Sequence, residues 1–292
     1  LGGNATKPNT DVPAGYDLIE LKKARSEGLL RQHFVDIHCH CLAGVDDGPA
    51  TMAESLDLCR GLVEDSIASV IATPHQLGRF SGCNGAAEIR EAVLSLNETL
   101  KRHSVPLTVV PGGDIRVDER ICELLAADKI LTLADGGRYV LLELPHEVFI
   151  DIQPLLKGLS YHGIEAVISH PERHSVLAKQ PSILLRWLQV SAHLQITAAS
   201  LLGGFGLVAQ RAAWHFLSSG WVSLVATDSH DMNGRRPCMR AAFERISARL
   251  GEGMAQMVCI ENPARIMQGR NIRPVQSLIT GKCIDEAVLR RS

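Results

Sequence analysis

Seven short apolar runs, each the length of a strand and each followed by a helix-length stretch, constrain this chain more than any other feature. They are Phe34–His38, Ala68–Thr73, Leu107–Val110, Tyr139–Leu144, Ala166–Ser169, His193–Thr197 and Val222–Thr227. Aliphatic residues dominate with little polar alternation, as expected of strands covered on both faces. Helical patterns lie between them, at about 51–65, 86–103, 118–127, 151–162, 181–191, 206–219 and 236–250. The first opens on Thr51-Met52-Ala53-Glu54, the spacing of a capping box. Strands alternating with helices imply a parallel sheet. Seven strands without a break favour one α/β domain closed, or nearly closed, into a barrel over an open doubly wound sheet. No internal repeat or low-complexity tract interrupts the pattern.

The residues after each strand carry the chemistry. The first strand ends in Asp36-Ile37-His38-Cys39-His40, followed by Gly44-Val45-Asp46-Asp47-Gly48. The next ends bring Thr73-Pro74-His75, then Pro111-Gly112-Gly113-Asp114, then Glu143 with Pro145-His146. Later ones bring Ser169-His170-Pro171-Glu172-Arg173 and Thr227-Asp228-Ser229-His230. Parallel strands deliver their C-terminal ends to one rim, where barrel active sites lie. His38, His40, Asp47, His75, Asp114, Glu143, His170, Asp228 and His230 should therefore meet there. So many ionisable groups cannot share a site unless something offsets their repulsion and desolvation. Divalent cations do so, and mixed nitrogen and oxygen ligands suit Zn, Mn or Fe.

Residues two apart in a strand face one side, so His38 and His40 can grip one ion, and Asp228 and His230 repeat the spacing. Cys39 and Cys41 alternate with the histidines and are read as packing on the other side. Asp36 is expected to accept an imidazole N–H from behind the cluster. His33, His103, His162, His174, His193 and His215 are read as ordinary surface or core residues, and His146 more as these than as a cleft residue. A rival chemistry appears at Cys259-Ile260-Glu261-Asn262-Pro263-Ala264-Arg265, which matches C-x5-R. A thiol phosphatase needs a cradle of free backbone N–H groups. Pro263 removes one, no glycine permits the loop, and Asn262-Pro263 reads instead as an N-cap and first helical residue.

Composition narrows the classes further. The 292 residues carry a formal net charge of −2, with 21% charged and 46% hydrophobic residues. That balance supports a large core and argues against nucleic-acid binding, which needs a basic face. No apolar run reaches the 18–20 or so residues of a membrane span, so no direct insertion is expected. Leu1–Gly15 reads as disordered, without the apolar core of a signal peptide, and 16–32 as a short helix. The eight cysteines show no CxxC pair and read as free thiols of a reducing compartment, hence a cytoplasmic protein.

Taken in order, DIHCH, GVDDG, TPH, LEL, SHPER and TDSH resemble the PHP (polymerase and histidinol phosphatase) superfamily. Within it, the chain is most similar to bacterial tyrosine-protein phosphatases of capsular and exopolysaccharide biosynthesis, the CpsB/YwqE type. The telling stretches are Gly44–Gly48, His170–Arg173, and Asp228–His230 followed by Gly234-Arg235. The resemblance runs from about Phe34 to Ile272. It divides the chain into an N-terminal extension (1–33), a metallophosphatase domain (34–272) and a tail (273–292). It implies a distorted (β/α)7 barrel with three divalent metals, Mn foremost, Fe or Zn in alternative.

Carried over by position, one ion takes His38, His40, Asp114 and Asp228. A second shares Asp114 and adds Glu143 and His170. The third takes Asp47, His75 and His230. Arg173 and Arg235 match phosphate-binding arginines, whose planar forks suit phosphate oxygens. The implied reaction is hydrolysis of phosphotyrosine by metal-activated hydroxide, on the tail of a bacterial tyrosine autokinase. The sequence leaves the oligomeric state open.

Two departures stand out: Asp114 replaces the family's usual Glu between two ions, and Gln76-Leu77-Gly78-Arg79 replaces the Arg that often follows His75. The alternatives are a small-molecule phosphatase of the superfamily, such as a histidinol-phosphate phosphatase, a phosphodiesterase or exonuclease, which the absence of a basic stripe disfavours, and a degenerate binding or structural module. The last should have lost ligands, and this chain keeps a capable side chain at all nine positions.

Overall fold

The computed structural model describes residues 33–145, 148–275 and 278. The expected extension over 1–33 (apart from its last residue), His146 and most of the tail lie outside the described residues. Among the described residues, nine parallel strands form two sheets. One has the order β1 (Phe34–Cys39), β2 (Ile67–Ala72), β4 (Thr108–Pro111). The other runs β3 (His75–Gln76), β5 (Asp114–Arg116), β6 (Tyr139–Glu143), β7 (Glu165–Ser169), β8 (Ala192–Thr197), β9 (Val222–Ala226).

The seven expected strands are all present, and two of them are broken in flight. β2 resumes as β3 after Thr73-Pro74, and β4 resumes as β5 after Gly112-Gly113. Pro74 has no N–H to give a ladder. At the glycines, a Cβ on Gly112 would collide with Ile71 and one on Gly113 with Gln76. Counting each broken strand once leaves seven strand paths. The first and last meet at their C-terminal ends, where Asp228 N donates to His38 O at 2.8 Å and His40 N donates to Ser229 O at 2.9 Å. This parallel α/β architecture is the organisation expected from the sequence.

The uniform apolarity of the strands follows from a two-sided core. Ile37, Ile71, Leu141, Val167, Leu224 and Ala226 point into an inner cluster with Leu133, Tyr139 and Ile266. A larger outer cluster packs the opposite strand faces against the helices. β1 switches allegiance near its end. Ile37 belongs to the inner cluster and Cys39 and Cys41 to the outer one, and the β1–β2 register is irregular between Asp36 and Cys39. Such an irregularity re-aims side chains. It leaves His38 and His40 facing the rim.

The helices lie close to their expected bounds. The first, Met52–Glu64, carries the full capping box: Glu54 N donates to Thr51 Oγ1, and Thr51 N donates to the Glu54 carboxylate. Near the C-terminus, Glu252–Gln256 continues through a π turn, Met257–Glu261, into Asn262–Met267. Asn262 therefore lies inside a helix and is not the N-cap expected of it; its backbone is already helical. The helix continues past Pro263 because the turn before it widens, which relieves the clash between a proline ring and the carbonyl four residues back. The Asn262 amide instead donates to Ser223 O and Arg273 O and accepts from Arg273 N. No helix among the described residues is long and apolar enough to cross a membrane, and the described cysteines are all free thiols.

Candidate metal centre

The rim gathers all nine candidate ligands into four overlapping groups, in each of which the ligand atoms lie within 4.8 Å of one another. His40, Asp47, His75 and His230 form one group; His38, His40 and Asp228 a second; His38, Asp114 and His170 a third; His75, Asp114 and Glu143 a fourth. The overlap differs in detail from the three sets implied by resemblance. His40 also stands with Asp47, His75 and His230, and His75 also stands with Asp114 and Glu143. Asp114 belongs to two groups despite being one methylene shorter than Glu.

Backbone geometry aims these side chains. His170 and Asp228 both adopt positive φ, 34° and 54°, at the ends of β7 and β9. That region is costly for residues other than glycine and concentrates at functional sites. Asp36 secures the β9 end from β1: it accepts from Thr227 N at 3.0 Å, from Thr227 Oγ1, and from His38 N at 3.3 Å. It holds backbone, so the expected contact with a ligand imidazole is corrected. Burial pushes its carboxyl up to about 7.

Two other residues orient the rings. Gln195 Oε1 lies 2.9 Å from His38 Nδ1, and Asp46 Oδ2 lies 2.6 Å from His40 Nδ1. Each leaves the ring's Nε2 toward the cluster, as outer partners of metal-binding histidines do. Asp46 also accepts from His75 N at 2.9 Å and Gly48 N at 3.0 Å. The sequence pattern assigned neither residue a role. The signal for Gln195 was a lone amide inside an apolar strand; Asp46 was hidden beside Asp47. Gln76, the departure after His75, turns inward and ties Asn84 O and Leu131 N with its amide. Arg79 reaches Asp47 at 2.7 Å and lies over the Phe80 ring.

The electrostatics are those of a cation site. Both oxygens of Asp114 are buried without a hydrogen-bond donor; His75 Nδ1 at 3.1 Å and His38 Nε2 at 3.7 Å are near but not aligned. A carboxylate buried in this way is stabilised by positive charge brought beside it, and the donor set fits divalent ions. Burial raises Glu143 to about 7, helped by the Asp114 charge. Burial disfavours a charged His75, yet Asp114 and Glu143 outweigh it and raise the ring to about 9. His40 is held well below the usual imidazole range by burial and by His230 and His75. Asp47 is held below the usual carboxylate range, chiefly by its hydrogen bond with His230. Burial acts against ionised Asp228 too, but His38, Arg173 and Arg235 hold it well below that range.

Arg173 and Arg235, both expected at the site, meet on Asp228 Oδ2. Arg173 Nη2 is 2.8 Å away and Arg235 Nη2 also donates to it. Asp228 Oδ1 faces the other way, 3.2 Å from His38 and 3.5 Å from His40. Arg235 Nη1 adds a contact to His230 Nε2 at 2.8 Å. The Nε groups of both arginines are buried and have no hydrogen-bond partner. Glu172 braces the turn between them and β8, accepting from Thr197 N at 2.9 Å and Ser200 Oγ at 2.7 Å. The rival thiol lies elsewhere. Cys259 is fully buried in the helical segment, and burial alone pushes it far above the ordinary thiol range. The other described histidines stay out of the cluster; His193, for instance, pairs with Glu165 at 2.8 Å.

Comparison with known proteins gives one consistent answer. A family model described as capsular polysaccharide synthesis, CpsB/CapC, matches residues 34–268. Tyrosine-protein phosphatase YwqE of Bacillus subtilis is 32% identical over 239 residues, covering 82% of this chain and 93% of the relative. Tyrosine-protein phosphatase CpsB of Streptococcus pneumoniae is 27% identical over 245 residues, covering 82% and 100%. A crystal structure from work on YwqE and CpsB, described as unique metal-dependent tyrosine phosphatases, superposes with a TM-score of 0.79 at 31% identity, covering 82% of this chain and 96% of that one. A β-aspartyl dipeptidase from Fervidobacterium islandicum shares the fold alone, with a TM-score of 0.50 at 13% identity.

Proposed function

The chain belongs to the CpsB/CapC family of capsular polysaccharide synthesis, and on that premise we propose that it is a metal-dependent protein-tyrosine phosphatase. Asp228 carries this reading: one of its oxygens faces the histidine cluster and the other holds both arginine forks. Metal site and phosphate site thus share a wall one carboxylate thick.

The ions would be held by His38, His40, Asp114 and Asp228; by Asp114, Glu143 and His170; and by Asp47, His75 and His230, with Mn first and Fe or Zn in alternative. When bound, divalent ions lower the pKa of a water and offset charge on phosphoryl oxygens. The chain's own contribution is positioning. Gln195 and Asp46 fix the His38 and His40 rings. The guanidinium forks of Arg173 and Arg235, gathered on Asp228, suit phosphate oxygens and favour charge that grows on them.

The substrate is the phosphotyrosine of a bacterial tyrosine autokinase that serves capsule or exopolysaccharide synthesis, and the reaction takes place in the cytoplasm. The names of the relatives, tyrosine-protein phosphatases and a family of capsular polysaccharide synthesis, support the phosphotyrosine substrate and its setting. The competing reading is a small-molecule phosphatase of the same superfamily. Turnover of a phosphotyrosine peptide and of histidinol phosphate by the metal-loaded protein separates them. The proposal expects the peptide to be preferred; preference for histidinol phosphate overturns it.

A further inference from the structure

We infer that the cavity beside the two arginines receives the aromatic ring of the phosphotyrosine, and that Phe205 selects aryl over alkyl phosphomonoesters. The inference rests on the phosphatase reading above and names the residues that shape its specificity.

A cavity of about 620 Å³ opens on the far side of the two arginines from Asp228, within the range of small-ligand sites. Arg173 and Arg235 line it, and the same two side chains grip Asp228 at the cluster. The rest of its lining includes Phe205, Val208, Ala178 and Lys179. Phe205 and Val208 are 37% and 64% exposed, so apolar surface faces solvent directly beside a phosphate-binding pair of arginines. The Arg173 guanidinium sits 4.5 Å from the Phe205 ring centre. One fork therefore links the phosphate position to an aromatic surface.

Depth makes the ring necessary as well as welcome. His38, His40, Asp114 and Asp228 are at most 2% exposed. A phosphoryl group brought to them must stand well away from its own peptide backbone. Phosphotyrosine places a ring between the two, and that ring would lie along Phe205 and Val208. Phosphoserine has only one methylene and an oxygen there, too short a spacer and with nothing to pack on this wall. Aromatic packing of this kind is worth enough to change affinity by about tenfold.

The test uses the full chain loaded with Mn²⁺, comparing wild type with Phe205→Ala and Phe205→Leu. Hydrolysis of a phosphotyrosine peptide and the matching phosphoserine peptide is measured. Calorimetric titration with phenylphosphonate and methylphosphonate gives a readout independent of turnover. Phe205→Ala should cut the aryl-to-alkyl ratio of kcat/KM by about tenfold, mainly through KM, and weaken phenylphosphonate but not methylphosphonate. Phe205→Leu should recover part of the loss. An equal loss on both substrates would mean that Phe205 only supports Arg173 and would overturn the inference, as would no change in either ratio. Failure of the wild type to hydrolyse either peptide refutes the phosphatase reading itself, and the aryl site with it.

Discussion

His40 Nδ1 lies 2.6 Å from Asp46 Oδ2, so the ring nitrogen left to the cluster is Nε2. The same carboxylate takes the backbone N–H of His75. One side chain, itself outside the ligand groups, thereby sets the attitude of two residues within them.

Asp46→Asn should weaken metal binding by about 10- to 100-fold, the usual effect of losing such an outer partner. Competition with a chelating dye measures it directly. Activity should return at high metal concentration, because the ligands themselves remain. Unchanged affinity would mean that Asp46 holds only the loop.

Arg173→Lys and Arg235→Lys test the phosphate clamp. An ammonium keeps the charge opposite Asp228 but cannot fork onto two oxygens. Each variant should bind metal normally and lose about 10- to 1,000-fold in kcat/KM. A variant with normal kinetics would remove that arginine from the clamp.

The scaffold was legible in the sequence to a degree that the core explains. Strands buried on both faces have no polar residues to blur their pattern, so Tyr139–Glu143 and Val222–Ala226 stand out. β3 and β5 escaped because two or three residues make no periodicity, and the breaks at Thr73-Pro74 and Gly112-Gly113 hide their continuity. The nine clustered residues were legible because strand ends share a rim. Their supports were not: whether Asp36, Asp46 or Gln195 faces an imidazole depends on register and local backbone turns. Asn262 misled for a related reason. Asn-Pro reads as a helix start, whereas its amide is a tertiary tie to Ser223 and Arg273.

Cys259→Ser separates the metal reading from a thiol mechanism. The thiol lies in the apolar outer core, so a hydroxyl there should cost about 1–3 kcal/mol of stability and leave kcat intact. His40→Ala should lower activity by more than about 100-fold. The reverse pattern, an inactive Cys259→Ser and an active His40→Ala, would sink the metal mechanism.

Glu165 supplies a pH-dependent element far from the rim. It pairs with His193 at 2.8 Å and Arg138 at 3.1 Å. The His193 hydrogen bond foremost holds its carboxyl below the usual range. A depressed folded pKa gives stability that is present above the unfolded value, about 4.3, and is lost as pH falls through the folded one. Glu165→Gln should therefore cost about 1 kcal/mol at pH 7, and the difference should shrink toward pH 3. Urea unfolding across that interval checks it; a gap that stays constant contradicts the assignment.

Phosphotyrosine hydrolysis should depend on divalent ions held by the nine-residue cluster. Elemental analysis of the purified chain, paired with its activity on a phosphotyrosine peptide before and after chelation and after return of Mn²⁺, tests it most directly. The expected result is more than one ion per chain, loss of activity on chelation and recovery on return of metal. A chain that carries no metal and hydrolyses the peptide equally well in excess chelator would contradict it.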